Sequence, residues 1–127
     1  MDSCPGASPE PCDVLLVEDD PSLLDFLAEL LAGDGLRVAC ARTAVEALAL
    51  LESGLLPAIL VTDIQLAGTL SGLDLARSVA AHWPGVRLLL ISGECRPAHE
   101  QYPPRALFFT KPFAPGALIA MVRSSDW

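Results

Sequence analysis

Residues 13–35 read DVLLVEDDPSLLDFLAELLAGDG. The apolar run at 14–17 has the character of a strand covered on both faces. Three acids and Pro21 follow, and apolar residues return at Leu23, Leu24, Leu27, Leu30 and Leu31, the spacing of a helix with one buried face. Asp20 reads as an N-cap with proline in the first helical position, and Gly33 and Gly35 flank the exit. A helix is expected over 21–34. A buried strand feeding an amphipathic helix is one half of a βαβ unit.

The same alternation continues outward. Strands are expected at 36–41, 58–62, 86–91 and 106–110, each largely apolar, and helices at 43–53, 73–82 and 115–123. The glycine-bearing stretch 68–72 reads as a loop, and Trp83-Pro84-Gly85 closes the third helix. Residues 94–105 hold Pro97, Pro103 and Pro104 and have room for at most one shortened fourth helix. Five strands alternating with helices imply an α/β fold: a doubly wound, five-stranded parallel sheet. Residues 1–12, MDSCPGASPEPC, read as a flexible tail before a single domain over 13–127.

Composition narrows the function classes. The chain has 127 residues, 52% hydrophobic, enough for a buried core and against disorder. The net charge of −8 disfavours nucleic acid and anionic membrane surfaces as partners. No apolar run is long enough to span a bilayer, and the first dozen residues lack the pattern of a signal peptide, so a cytoplasmic location is the default. Cys4, Cys12, Cys40 and Cys95 form no CxxC pair and no metal pattern, which leaves reduced thiols as the expectation.

In open parallel sheets, ligands bind beyond the carboxyl ends of the strands, where the strand order reverses. The first strand ends in Glu18, Asp19 and Asp20, the third in Asp63, the fourth in Ser92 and the fifth in Lys111. With strand order 2-1-3-4-5, Asp19 and Asp63 become neighbours, and two such carboxylates call for a cation. Hard oxygen donors suit Mg²⁺. A nucleophilic carboxylate, a cation, an ammonium and a hydroxyl together suit phosphoryl transfer. Each piece also has a plain reading. Acids before a helix often serve only its dipole, which accounts for Asp20. An aspartate after a strand is commonly a turn residue, Ser92-Gly93 is an ordinary turn pair, and Lys111 could be a solvated charge. Yet seven of the eight basic residues are Arg, and Lys111 alone offers a compact point charge. The joint occurrence at four strand exits favours the site.

The stretches VLLVEDD (14–20), ILVTDIQL (59–66), SGLDLA (71–76), RLLLISG (87–93) and FFTKPF (108–113) resemble response-regulator receiver domains of two-component signalling, in particular stand-alone receivers like the chemotaxis regulator. The resemblance spans Val14 to about Arg123. It implies a flavodoxin-like fold, with Asp63 as phosphoacceptor and Asp19 as a direct Mg²⁺ ligand. Glu18 would act mainly through water, and the Gln65 carbonyl would be a further ligand. Ser92 and Lys111 would bind the phosphoryl group, Lys111-Pro112 would be a cis peptide, and the N–H groups of Ile64, Gln65 and Gly93 would complete an oxygen cradle. Ser92 and Phe108 would form the switch. Gln65 and Glu94, two places after Asp63 and Ser92, would tune loss of the phosphoryl group.

Three departures stand out. The loop after Asp63 reads LAGTLSG, without the common proline and one residue longer than usual. The segment between Ser92 and Lys111 is short and proline-rich. Phe108 carries no hydroxyl to donate. The expected function is a phosphoprotein of a phosphorelay. It would take a phosphoryl group from a sensor histidine kinase or phosphotransfer protein onto Asp63, as an aspartyl phosphate, then signal to a downstream protein as a monomer or weak homodimer. It would catalyse only its own phosphorylation and dephosphorylation. The alternatives are a receiver module of a hybrid histidine kinase and an interaction module that is never phosphorylated. An aspartate-nucleophile phosphatase would need an acid where Gln65 stands. A nucleotide or flavin binder would need a glycine-rich loop where EDDPS stands.

Overall fold

The structure, a computed structural model, describes residues 10–93 and 102–124. Five parallel strands lie in the order β2-β1-β3-β4-β5: β1 (Glu10–Val17), β2 (Val38–Ala41), β3 (Leu55–Asp63), β4 (Arg87–Ser92) and β5 (Leu107–Thr110). Four helices stand among the described residues: α1 (Pro21–Gly33), α2 (Ala44–Glu52), α3 (Gly72–His82) and α4 (Pro115–Arg123). This is the expected flavodoxin-like arrangement. Whether the fourth crossover holds a shortened helix lies mostly outside the described residues.

Strand side chains alternate between two faces, and the apolar strands feed two cores. Leu15, Val17, Leu60, Leu88 and Leu90 point to one side and pack with Ala44, Ala47, Leu51, Leu75 and Val79 of α2 and α3. Val14, Leu16, Ile59, Val61, Leu89 and Ile91 point to the other and pack with Leu24, Leu27, Leu31, Leu118 and Val122 of α1 and α4. Helix starts follow the capping residues. The Asp20 side chain accepts from the amides of Ser22 and Leu23, and the Thr43 hydroxyl accepts from that of Glu46. Ser71 and Asp74 form a reciprocal capping box at the head of α3.

The strand starts differ from the sequence reading. β1 begins at Glu10, so residues 10–12 of the expected tail pair with Leu55, Leu56 and Pro57 at the start of β3. This extension carries Pro11 and Pro57, which lack an amide hydrogen and would break a ladder bonded on both sides. They are tolerated because β2 joins β1 only from Val14, and β4 joins β3 only from Ile59. β2 in turn starts at Val38 rather than Leu36.

Candidate functional site

All four predicted strand exits meet at one end of the sheet. β1 delivers Glu18, held by its amide to the Ala41 carbonyl at 3.1 Å. β3 ends on Asp63 itself, in register with Ile91, one residue before Ser92 at the end of β4. Lys111 is brought over from β5 by its amide, which donates to the Ser92 carbonyl at 2.8 Å. The Lys111-Pro112 peptide is cis, as expected.

Glu18, Asp63 and Ser92 are buried, at 4%, 8% and 7% exposure, against the usual exclusion of charged groups from interiors. Their partners explain how this is tolerated. Lys111 Nζ donates to Asp63 Oδ2 at 2.7 Å and lies 3.7 Å from Glu18 Oε1. The Gln65 amide donates to Asp63 Oδ1 at 3.2 Å, the Asp20 amide to Glu18 Oε2 at 3.1 Å, and the Ala67 amide to Asp19 Oδ2 at 2.9 Å. Each of the three carboxylates thus has one oxygen tied to the main chain.

The charge balance is still unfavourable for a third anion. Burial pushes the Glu18 carboxyl up to about 7, and the nearby Asp63 charge and Asp19 carboxyl add to this. The Asp20 amide and Lys111 oppose the rise without cancelling it. Lys111 feels the converse. Burial works to lower its pKa, but the hydrogen bond and charge of Asp63, with Glu18 behind, outweigh that and hold the ammonium above its usual range. The pocket therefore has unmet demand for positive charge. Its donors are hard oxygens, the set that suits Mg²⁺. Among the described residues no three acidic, histidine or cysteine side chains close into a ready-made metal cluster. That is compatible with Mg²⁺, which typically takes one or two carboxylates and keeps waters.

One predicted cradle member is corrected. The Ile64 amide donates to the Ile91 carbonyl at 2.9 Å, continuing the β3–β4 ladder one step beyond the strand, so it is spent on the sheet. Gln65 lies at the pocket, and Gly93 follows Ser92 on the exposed rim. Glu94 lies outside the described residues. Phe108 is half-buried and packs against the α2–α3 core.

Three features escaped the sequence reading. Tyr102 stacks edge-on against Phe108, with ring centroids 4.5 Å apart at 77°. Gly72, at the head of α3, sits where an added Cβ would lie 1.7 Å from the Asp63 carbonyl oxygen. The amide of Ala67 reaches Asp19 across 48 residues of sequence. A lone tyrosine in a proline-rich stretch, a glycine in a glycine-bearing loop and a main-chain donor leave no distinctive pattern in one sequence.

Comparison with known proteins agrees with this geometry. The family model for the response regulator receiver domain matches residues 14–123, and the chain belongs to that family. It is 29% identical over 111 residues to the phyllosphere-induced regulator PhyR of Methylorubrum extorquens, a match covering 87% of this chain and 42% of PhyR. The chain thus spans less than half of that relative's length. It is 34% identical to the "Uncharacterized 14.6 kDa protein in sodA1 3'region" of Leptolyngbya boryana, with 87% of each chain covered. Among solved structures, a response regulator receiver protein from Sinorhizobium medicae superposes with a TM-score of 0.81 at 27% identity, covering 89% of this chain and 92% of that one. The protein is a receiver domain of the response-regulator kind, consistent with two-component signalling.

Proposed function

We propose that the chain is a phosphoacceptor switch in a two-component phosphorelay, with Asp63 as the residue that takes the phosphoryl group. The observation that carries this reading is the buried Asp63 carboxylate at the β3 exit with Lys111 Nζ 2.7 Å from one of its oxygens. Asp63 attacks the phosphorus of a phosphohistidine on a sensor kinase or phosphotransfer protein. A P–O bond forms to the carboxylate, the P–N bond breaks, and the imidazole leaves. Lys111 is placed to balance charge on the transferred group, and the Ser92 hydroxyl and the amides of Gln65 and Gly93 are candidates to hold its oxygens.

Glu18, Asp19 and Asp63, with the Gln65 carbonyl, are the residues that would hold Mg²⁺. When bound, Mg²⁺ supplies the positive charge that the carboxylates and the phosphoryl oxygens jointly require. The domain turns over no metabolite and acts by protein contact in the cytoplasm. Among the described residues no helix is long and apolar enough to cross a membrane. The 42% coverage of PhyR supports a second reading, in which this receiver works as one module of a larger regulator or hybrid kinase.

The test is intact mass after incubation with acetyl phosphate, with and without Mg²⁺. A single Mg²⁺-dependent phosphoryl adduct, absent in Asp63→Asn, is expected. A folded protein that takes no adduct under any condition would overturn the reading and leave an interaction module.

A further inference from the structure

The loop between β3 and α3 is fastened to both acidic strand ends, and we propose that it positions Asp19. In this arrangement the main-chain N–H of Ala67 holds one carboxylate oxygen of Asp19 and presets that side chain for a divalent cation. The inference rests on the reading that the acidic pocket takes Mg²⁺, and it assigns a role to a residue with no side-chain chemistry of its own.

The loop is closed at its neck. The Ile64 amide donates to Ile91 at 2.9 Å, and the Ile64 carbonyl accepts from the Gly72 amide at 2.7 Å. Between these points, alternate amides reach two different strand ends: Gln65 to Asp63 on β3, and Ala67 to Asp19 after β1. Gly68, at φ 109°, then turns the chain away in a conformation that favours glycine. The Ser71–Asp74 capping box anchors the far end on α3. The amide of Ala67 is thus aimed by a loop fixed on both sides.

Asp19 needs such help. Its side chain is only half-buried, so packing does not fix it. An amide donating to a carboxylate is a charge-assisted bond, stronger than a neutral one. It occupies one oxygen, while a carboxylate offers about four lone-pair sites, so capacity for a cation remains. Holding the ligand in place beforehand removes part of the ordering cost of binding. Any residue except proline can make this bond, and the stretch LAGTLSG contains none.

The test titrates Mg²⁺ alone, without phosphodonor, into the full chain by calorimetry. Ala67→Gly keeps the N–H and is expected to bind within about twofold of the natural protein. Ala67→Pro removes it and is expected to bind about tenfold more weakly, at the low end of what partners of a metal ligand contribute. A purely structural role for Ala67 would lower the melting temperature without moving the Mg²⁺ affinity. A second measurement does not depend on the proline variant folding. In hydrogen exchange, the Ala67 amide should speed up several-fold in Asp19→Ala, while the Gly72 amide, bonded to Ile64, keeps its rate. Equal Mg²⁺ affinity in a folded Ala67→Pro protein, or an Ala67 amide indifferent to Asp19→Ala, refutes the positioning role and leaves the Mg²⁺ reading intact. A natural protein that binds no Mg²⁺ at millimolar concentration overturns both.

Discussion

Replacing Gly72 by alanine tests the packing that places Asp63. Gly72 opens α3, and helix propensity alone predicts that alanine there would be neutral or stabilising by up to about 1 kcal/mol. The geometry predicts the opposite sign. The new Cβ would lie 1.7 Å from the Asp63 carbonyl oxygen, 2.7 Å from its carbonyl carbon and 3.0 Å from the Ile64 Cα. All three are main-chain atoms, so no flexible side chain can swing aside. Asp63 is held in the sheet by its pairing with Ile91, which leaves the first turn of α3 to retreat, by roughly 2 Å to restore ordinary van der Waals contact. That retreat strains the 2.7 Å bond from the Gly72 amide to Ile64 and the capping box behind it. Overpacking of this kind typically costs about 1–3 kcal/mol, and a lost cap adds about 1. The net expectation is a loss of about 1–3 kcal/mol after the propensity gain.

Urea unfolding monitored by far-UV circular dichroism measures this directly. At this chain length the matching fall in melting temperature is on the order of 10 °C. Gly116→Ala in α4 is the control, because no atom stands within 4 Å of the Cβ built there. It should be neutral or slightly stabilising. A Gly72→Ala protein within about 0.5 kcal/mol of the natural one would show that the close approach is not a constraint, and the reasoning would be refuted.

Lys111→Met should cut the rate of phosphoryl uptake from acetyl phosphate by about a hundredfold, the scale for losing one charge-stabilising group, read by intact mass against time. Uptake at the natural rate would dismiss Lys111 from the site. Asp74→Ala removes half of the capping box and should cost about 1 kcal/mol in urea unfolding. An unchanged midpoint would mean the box adds nothing in solution. Glu18 sets a pH dependence in the cation-free protein. Its folded value, about 7, lies above its unfolded value near 4.5, so its contribution is fully present below about pH 4.5 and is lost as pH rises through 7. Between pH 5 and pH 8.5 this should remove on the order of 2 kcal/mol of stability, allowing for screening at the pocket mouth. Glu18→Gln should flatten that part of the curve, and an equally steep curve in the variant would assign it to other groups.

The strands and their four exits were legible because each rests on a local pattern, whereas the sheet order followed from the resemblance to receiver domains. The runs at 14–17 and 88–91 are unbroken and apolar, and each stops at the first polar residue. Ser92 stands where its run stops, and Asp63 and Lys111 each follow a threonine that a strand still accommodates. The missed features depend on what lies across space. Pro11 looks like tail chemistry until β3 is seen to extend to Leu55 and pair with it while β2 stays short. The Ile64 amide looks available for a ligand until Ile91 is found opposite. Tyr102 gains meaning only through its ring contact with Phe108.

Glu18 and Lys111 together show why the pocket should respond to a cation rather than merely tolerate one. Lys111 is a single ammonium facing two buried carboxylates, and it sits closer to Asp63, at 2.7 Å, than to Glu18, at 3.7 Å. Burial pushes the Glu18 carboxyl up, and Lys111 at this longer distance opposes the rise without cancelling it. Further positive charge at this corner would favour the Glu18 carboxylate and release its proton. Mg²⁺ binding near pH 6.5 should therefore be accompanied by proton release, and its apparent affinity should rise with pH until Glu18 is fully ionised. Calorimetry in two buffers of different ionisation enthalpy measures the protons released. Zero release at pH 6.5, with binding intact, would place the cation away from Glu18 and break the link between the acidic corner and the charge demand of the phosphoacceptor.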